Sequence, residues 1–140
     1  MSNSLTVAYF TMEVGFKAEI PTYAGGLGML AADLMLSARD LHVSAACVTI
    51  CWQHGYLHQT IRPDGSQSYT QTDWRPQDHL TLLPQKVSVT LEGREIKIGA
   101  WALELNDAKH KIPIFFLDTN LPENKPEDRG CYFPRKLRSR

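Results

Sequence analysis

The first third of the chain alternates apolar runs with one amphipathic stretch. Residues 5–10 are apolar and rich in strand formers, which predicts a buried first strand. Residues 44–52 are apolar at successive positions and predict a second strand. Between them, a helical repeat predicts an amphipathic helix that ends near Leu41. The repeat comprises Leu27, Leu30, Ala31, Leu34, Ala38 and Leu41. The order strand, loop, helix, strand predicts an α/β unit with parallel pairing.

The middle of the chain predicts two β-hairpins, because strand-like runs there flank glycine-containing turns. The first hairpin comprises 56–61, Pro63-Asp64-Gly65 and 67–70, and the second comprises 86–91, Glu92-Gly93 and 94–105. Residues 112–117 then form a continuous apolar run, which we expect to return to the central sheet. Residues 118–122 should turn out of it.

Composition places this pattern in an ordinary globular protein. The chain has 140 residues, of which 43% are hydrophobic and 21% charged, and its formal net charge is zero. These values exclude wholesale disorder, a collagen-like chain and a disulfide-dense miniprotein. No apolar run approaches the roughly 18 residues of a membrane span, and no signal peptide is evident. Zero net charge gives no reason to expect a nucleic-acid partner.

Charge and cysteine content add two details. Residues 135–140 carry four positive charges, whereas residues 1–134 hold 11 basic and 15 acidic residues. This break indicates a solvated tail, a basic arm or a chain cut short. Three cysteines, Cys47, Cys51 and Cys131, are an odd number, which indicates reduced thiols and a cytoplasmic location.

The glycine-rich sequence Gly25-Gly26-Leu27-Gly28 is the most chemically specific feature. It opens the predicted helix, where unpaired N–H groups and a partial positive charge suit a phosphate or a sugar oxygen. The alternative is a tight turn with no ligand. The loop also fits the dinucleotide fingerprint, but 14 residues separate Phe10 from Gly25 and no acid ends the second strand.

Two further constellations have plain structural alternatives. Cys47, Cys51, His54 and His58 have an approximate zinc-site spacing, but the interval between Cys51 and His54 is too short for a zinc finger. The cysteines are better interpreted as small buried residues on one strand face. Among four acidic residues, two could act as the paired catalytic carboxylates of a glycosidase, or all four could lie on solvated surfaces. They are Glu13, Asp33, Asp40 and Asp73.

Five sequence blocks together resemble one protein family. They are YFTMEVG at 9–15, PTYAGGLGMLAAD at 21–33, GYLHQ at 55–59, DGSQ at 64–67 and LDTN at 117–120. In order and spacing they resemble the N-terminal region of α-glucan (glycogen, starch or maltodextrin) phosphorylases, from about Thr6 to Arg129. Starch and glycogen synthases are a near neighbour, but they typically carry a lysine where this chain has Tyr23-Ala24.

The resemblance implies a fold and an activity. The fold would be part of the first of two facing Rossmann-like domains (the GT-B type), with inserted β-hairpins. Residues 1–129 would be the incomplete domain and residues 130–140 a divergent basic tail. The family, which includes allosteric enzymes, releases glucose 1-phosphate from α-1,4-glucan with inorganic phosphate. Its pyridoxal 5′-phosphate sits on a lysine of the second domain, which this chain lacks.

The resemblance also implies site residues. Gly25, Gly26, Leu27 and Gly28 would contact the glucosyl and phosphate groups, and Glu13 would lie near the same cleft. Tyr56 and Trp74 are candidate sugar-facing aromatics. No catalytic or metal-binding residue is assigned, and we expect the isolated chain to be inactive.

An alternative to an enzyme fragment is a non-catalytic α/β module that binds sugar or a partner. In either case, an incompletely covered sheet should expose apolar surface and promote self-association.

Overall fold

A computed structural model of the protein describes residues 7–106 and 109–130. The elements in chain order are β1 Val7–Phe10, α1 Gly26–Asp40, β2 Ala45–Ile50, β3 Leu57–Ile61, β4 Gln67–Gln71, β5 Thr81–Leu91, β6 Arg94–Asn106 and β7 Lys111–Asp118, with short 3₁₀ turns at Pro76–Asp78 and Pro126–Asp128. The predicted helix, strands and hairpins are therefore confirmed. Of the predicted tail at 130–140, all but Gly130 lies outside the described residues.

The main sheet has five strands in the order β1-β2-β7-β6-β5. β1 pairs parallel with β2, and β2 pairs parallel with β7. β7, β6 and β5 pair antiparallel, so the second predicted hairpin extends the central sheet. The first hairpin, β3–β4, forms a separate two-stranded sheet. The described fold is mixed α/β, with one α-helix and a predominance of strand.

The two hairpin turns follow from their residues. Glu92 and Gly93 both have positive φ, of 50° and 77°, as a two-residue turn between twisted antiparallel strands requires. In the β3–β4 turn, the Asp64 carboxylate accepts hydrogen bonds from the N–H of Ser66 (2.9 Å) and from its hydroxyl (2.7 Å). These bonds lower the pKa of Asp64, so the charged carboxylate holds the turn.

The core lies between α1 and one face of the sheet. The helix packs through small residues and one methionine, namely Gly28, Ala31, Ala32 and Met35. They meet fully buried side chains of β2 and β7, namely Cys47, Ile112, Ile114 and Phe116. The leucines of the helical repeat are not in this contact: Leu27, Leu30 and Leu34 are 57%, 56% and 44% exposed. Small residues allow the helix axis to approach the sheet closely, and this places the leucines on the outer side.

The first strand is not buried, contrary to the sequence prediction. Val7 is 45% exposed and Phe10 is 72% exposed, because β1 forms an edge of the sheet. Phe10 and Met12, together with Val48, Ile50 and Leu117, border an apolar hollow of about 270 Å³. In the described part of the chain, nothing packs over it. No helix among the described residues is long and apolar enough to cross a bilayer.

Candidate functional site

A cleft of about 560 Å³ lies beside the carboxyl end of β1, between the glycine loop and the base of the β3–β4 hairpin. In open α/β sheets, ligands bind in the crevice outside the carboxyl ends of the parallel strands. One wall is formed by the segment after β1 and by the glycine loop, and the other by the hairpin. The polar lining residues are Glu13, Tyr23, Tyr56, His58, Gln59 and Thr72.

Glu13 accepts hydrogen bonds from both sides of the cleft. The Tyr56 hydroxyl donates to Glu13 Oε1 at 2.7 Å, and the Ala24 N–H donates to Glu13 Oε2 at 3.3 Å. Burial raises the pKa of Tyr56, and the hydrogen bond to Glu13 and the charge on Glu13 raise it further. The Tyr56 hydroxyl therefore stays protonated and remains a donor at neutral pH.

The segment that carries Glu13 is fixed to the rest of the fold. The Trp52 indole N–H donates to the Met12 carbonyl at 2.7 Å, and the Gly15 N–H donates to the Gly28 carbonyl at 2.9 Å. The Thr22 hydroxyl, fully buried, donates to the Val14 carbonyl at 3.1 Å. These bonds explain how the 14 residues between Phe10 and Gly25 form a cleft wall rather than a mobile loop.

The three glycines of the loop have different structural roles. Gly25, the N-cap of α1, has φ 68° and ψ −152°, a region essentially restricted to glycine. A Cβ on Gly28 would lie 2.4 Å from Cβ of Tyr23, whereas one on Gly26 would meet nothing within 4 Å. A Cβ on Gly15 would lie 3.0 Å from the Tyr23 ring, so only glycine leaves room for this tyrosine on both sides.

The helix N-terminus at this loop is chemically open. Gly25 provides no side-chain cap, and the first turn of α1 contains no acidic residue. The first N–H groups of a helix have no intrahelical partners, and they carry partial positive charge. The loop can therefore donate hydrogen bonds to an anion or a hydroxyl oxygen.

The structure brings three of the predicted site residues together, because Glu13, Gly25 and Tyr56 all line the cleft. Gly26, Leu27 and Gly28 follow in the helix but are not among the lining residues. Their assignment to ligand contact stays a prediction.

Trp74 lies elsewhere. It is 8% exposed, belongs to the hydrophobic core, and donates its indole N–H to the Trp52 carbonyl at 3.0 Å. Trp74 therefore packs in the core, and its side chain does not line the cleft. Asp33, Asp40 and Asp73 are also absent from the lining, so the four acids do not converge on it.

Sequence reasoning missed four polar lining residues. His58 and Gln59 belong to the block GYLHQ, and their proximity to Tyr56 was the available signal. Tyr23 immediately precedes Ala24 and the glycines. Thr72 had no sequence signal, because it reaches the cleft only through strand pairing. Its N–H and hydroxyl both donate to the Tyr56 carbonyl, at 3.2 and 3.1 Å.

The cleft carries a carboxylate but, among the residues that the structure describes, no lysine or arginine lines it. A carboxylate, two phenols, an imidazole, an amide and a hydroxyl suit the alternating donors and acceptors of a neutral polyol. An anion would depend on backbone N–H groups and on positive charge from outside this lining.

The cysteines lie away from the cleft, under the helix. Cys47 and Cys51 are 0% and 1% exposed and share the core-facing side of the sheet, as predicted. Burial raises the pKa of Cys47 to about 11, so its thiol stays protonated at neutral pH. Within residues 7–106 and 109–130, no three His, Cys, Asp or Glu side chains are placed to hold a metal ion.

Asp118 organises the adjoining end of the sheet. This residue, only 5% exposed, accepts hydrogen bonds from the Trp101 indole (2.9 Å), the Gln53 amide (3.1 Å) and the Asn120 N–H (2.8 Å). The block LDTN thus has a structural role, since its aspartate fixes the turn that leaves β7.

Comparison with known proteins finds glycogen and maltodextrin phosphorylases among the proteins that this chain resembles. No family model matches the chain. The chain is 33% identical to the maltodextrin phosphorylase of Thermococcus litoralis over 132 residues, which is 88% of this chain and 15% of that protein. It is 34% identical to the glycogen phosphorylase of Mycobacterium tuberculosis (strain H37Rv) over 132 residues, 89% of this chain and 15% of that protein. The glycogen phosphorylase of Aquifex aeolicus is 33% identical over 134 residues, 88% of this chain and 18% of that protein.

These matches confirm the resemblance inferred from the sequence blocks. The chain is a relative of the α-glucan phosphorylases. In particular, it corresponds to a limited stretch of glycogen and maltodextrin phosphorylases, and it spans only about 15% of the length of the first two.

Proposed function

We propose that this chain is the N-terminal part of an α-glucan phosphorylase, an enzyme that releases glucose 1-phosphate from α-1,4-glucan with inorganic phosphate. The main support is the match over 88% of the chain to a maltodextrin phosphorylase. A second support is that three residues assigned by resemblance, Glu13, Gly25 and Tyr56, line one cleft.

In this proposal the cleft lies on the surface of one Rossmann-like domain, and a second such domain faces it to complete the active site. Polar groups of the cleft would bind hydroxyls of the terminal glucose unit, and the α1 N-terminus would donate N–H groups to the glucosyl or phosphate oxygens. Because no lysine or arginine is among the described lining residues, the countercharge for phosphate would come from the second domain. Fixed N–H dipoles favour charge developing on phosphate without reorganisation.

The described cleft does not fit pyridoxal 5′-phosphate. That cofactor requires a lysine amine for its Schiff base, and no lysine is among the described lining residues. We propose that the cofactor is held outside the described part of the chain, as the resemblance implies. The chain alone should therefore bind glucan weakly and not turn it over.

The test has a catalytic arm and a binding arm. With maltoheptaose, phosphate and added pyridoxal phosphate, the 140-residue chain should produce no glucose 1-phosphate. Maltoheptaose should nonetheless shift the NMR amide resonances of Gly25 and His58 at millimolar concentration, and leave those of Ile114 in the core unchanged. Turnover by the chain alone would refute the proposal that a second domain is needed to complete the active site. An absence of shifts would refute glucan binding by this cleft.

One observation favours a second candidate, a module that binds a protein partner. The apolar hollow beside Phe10 and the exposed leucines of α1 offer contact surface unrelated to the cleft. If maltoheptaose leaves every amide resonance unshifted, this candidate becomes the better one. A synthase-like fragment would instead show shifts with a nucleotide sugar and not with maltoheptaose.

A further inference from the structure

We propose that Glu13 is a positioning residue that links the β3–β4 hairpin to the glycine loop, with Tyr56 as the connecting side chain. The resemblance implies only that Glu13 lies among the substrate-binding groups. In the structure, both oxygens of its carboxylate already accept hydrogen bonds from the protein, one from each wall of the cleft. The importance of this linkage for glucan binding rests on the proposed function, whereas the linkage itself does not.

The first half of the linkage holds the glycine loop. Ala24, whose N–H donates to Glu13 Oε2, immediately precedes Gly25. Gly25 has the φ and ψ of a glycine-only region, and it is followed directly by α1. Glycine has many accessible conformations, so the loop needs a constraint on each side. The helix fixes the far side, and the bond from Ala24 to Glu13 fixes the near side.

The second half holds the hairpin. Tyr56 is 8% exposed and donates its hydroxyl to Glu13 Oε1. The carbonyl of the same residue accepts two hydrogen bonds from Thr72, at the other side of the hairpin base. Thr72, Tyr56, Glu13 and Ala24 therefore form a continuous series of contacts from one wall of the cleft to the other.

The consequence is that the loop is ordered before a ligand arrives. Binding that must immobilise a flexible loop loses affinity to conformational entropy, and a loop that is already held avoids this loss. Loss of the linkage should thus weaken maltoheptaose binding in addition to the loss of any contact that Glu13 or Tyr56 itself makes with the sugar.

Amide hydrogen exchange of the ¹⁵N-labelled 140-residue chain tests the linkage without any ligand. Glu13→Ala should accelerate exchange at Ala24 about tenfold and at Gly25 severalfold, and Tyr56→Phe should accelerate exchange at Ala24 about threefold. Tyr69→Phe is the matched control, because Tyr69 lies on the same hairpin and donates its hydroxyl to Gln67 at 2.7 Å, away from Glu13. Amides of β7 should exchange as in the wild type, which separates a positioning effect from general destabilisation.

Unchanged exchange at Ala24 in both Glu13→Ala and Tyr56→Phe would overturn the proposal. Equal acceleration throughout β7 would also overturn it, because the residues would then be merely structural. If Glu13→Ala does not fold, Tyr56→Phe, which removes one oxygen, decides the question alone.

A maltoheptaose titration then separates the two proposals. If the proposed function holds, Tyr56→Phe should weaken binding about threefold and Tyr69→Phe should leave it unchanged. If the wild type shows no maltoheptaose shifts but Ala24 exchange responds as expected, the linkage stands and the proposed function fails. If Glu13→Ala and Tyr56→Phe bind maltoheptaose normally while their Ala24 exchange is accelerated, binding does not require an ordered loop. The positioning role is then refuted.

Discussion

The two faces of the five-stranded sheet differ in what covers them. On one face, α1 packs on side chains that include Ile114 and Phe116, both 0% exposed. On the other, Phe10 is 72% exposed and Met12 is 56% exposed. Parallel sheets normally bury both faces, because crossover helices cover each of them. The difference shows that the described residues form a core on one side of the sheet and leave a second, apolar side uncovered.

The largest expected effect compares neighbouring residues of β7 on opposite faces. Phe116→Ala should reduce the free energy of unfolding by about 3–5 kcal/mol, because it leaves a cavity in the covered core. Phe115→Ala should cost less than half as much, because Phe115 is only partly buried on the other face. Urea unfolding followed by tryptophan fluorescence measures both variants. Equal losses would mean that the open face is covered in solution.

The covered face should also make stability sensitive to alkaline pH through Cys47. Burial raises the pKa of this thiol from 9.0 to about 11, so in the folded protein it stays protonated while the unfolded chain ionises. Above pH 9 the unfolded state binds fewer protons, and stability is lost as the pH rises toward 11. The loss should be about 2–3 kcal/mol.

Unfolding measured at pH 8 and at pH 10.5 tests this prediction, with Cys47→Ala as the comparison. Between these two pH values, the free energy of unfolding should fall less in Cys47→Ala than in the wild type. If wild type and variant depend on pH identically, the thiol is not shielded from water by α1.

The helix itself offers a matched pair of glycines. Gly28→Ala should cost about 1–3 kcal/mol, because the new Cβ would lie 2.4 Å from Tyr23 and the tightly packed backbone must shift. Gly26→Ala meets no neighbour within 4 Å, and it should be neutral or stabilise by up to about 1 kcal/mol. Thermal unfolding of the two variants measures both effects. If Gly26→Ala were the less stable variant, the packing of Tyr23 on α1 would be contradicted.

Periodicity predicted the elements well, because helical and strand spacings are local properties of the sequence. It did not predict which side of α1 packs, since Leu30 and Ala31 both belong to an apolar repeat and only the sheet selects the smaller residue. Within the predicted first strand, the burial of residues 7–10, which the structure describes, was also predicted wrongly. An edge position is a property of strand order, which no local pattern specifies.

The candidate site was predictable only in part, and for a similar reason. Glu13, Gly25 and Tyr56 were found through the resemblance, and they lie together in the cleft. Thr72 enters the cleft through pairing of β3 with β4, which joins residues distant in sequence. The hydrogen bond between Tyr56 and Glu13 spans 43 positions, so spacing could not have indicated it.

The smallest expected effect concerns the open face of the sheet. Exposed apolar surface of this kind favours association, so we expect the wild-type chain to self-associate at high concentration. Phe10→Ser together with Met12→Ser should weaken that association about tenfold in sedimentation velocity, because both side chains border the hollow. Leu34→Ser is the control, since Leu34 is 44% exposed on the outer side of α1. If only the control variant weakens association, the chains associate through the leucines of α1. The apolar face of the sheet then does not take part in association. If the wild type is monomeric at every concentration, the exposed apolar area is too small to drive association, and the contrast between the two faces has no consequence in solution.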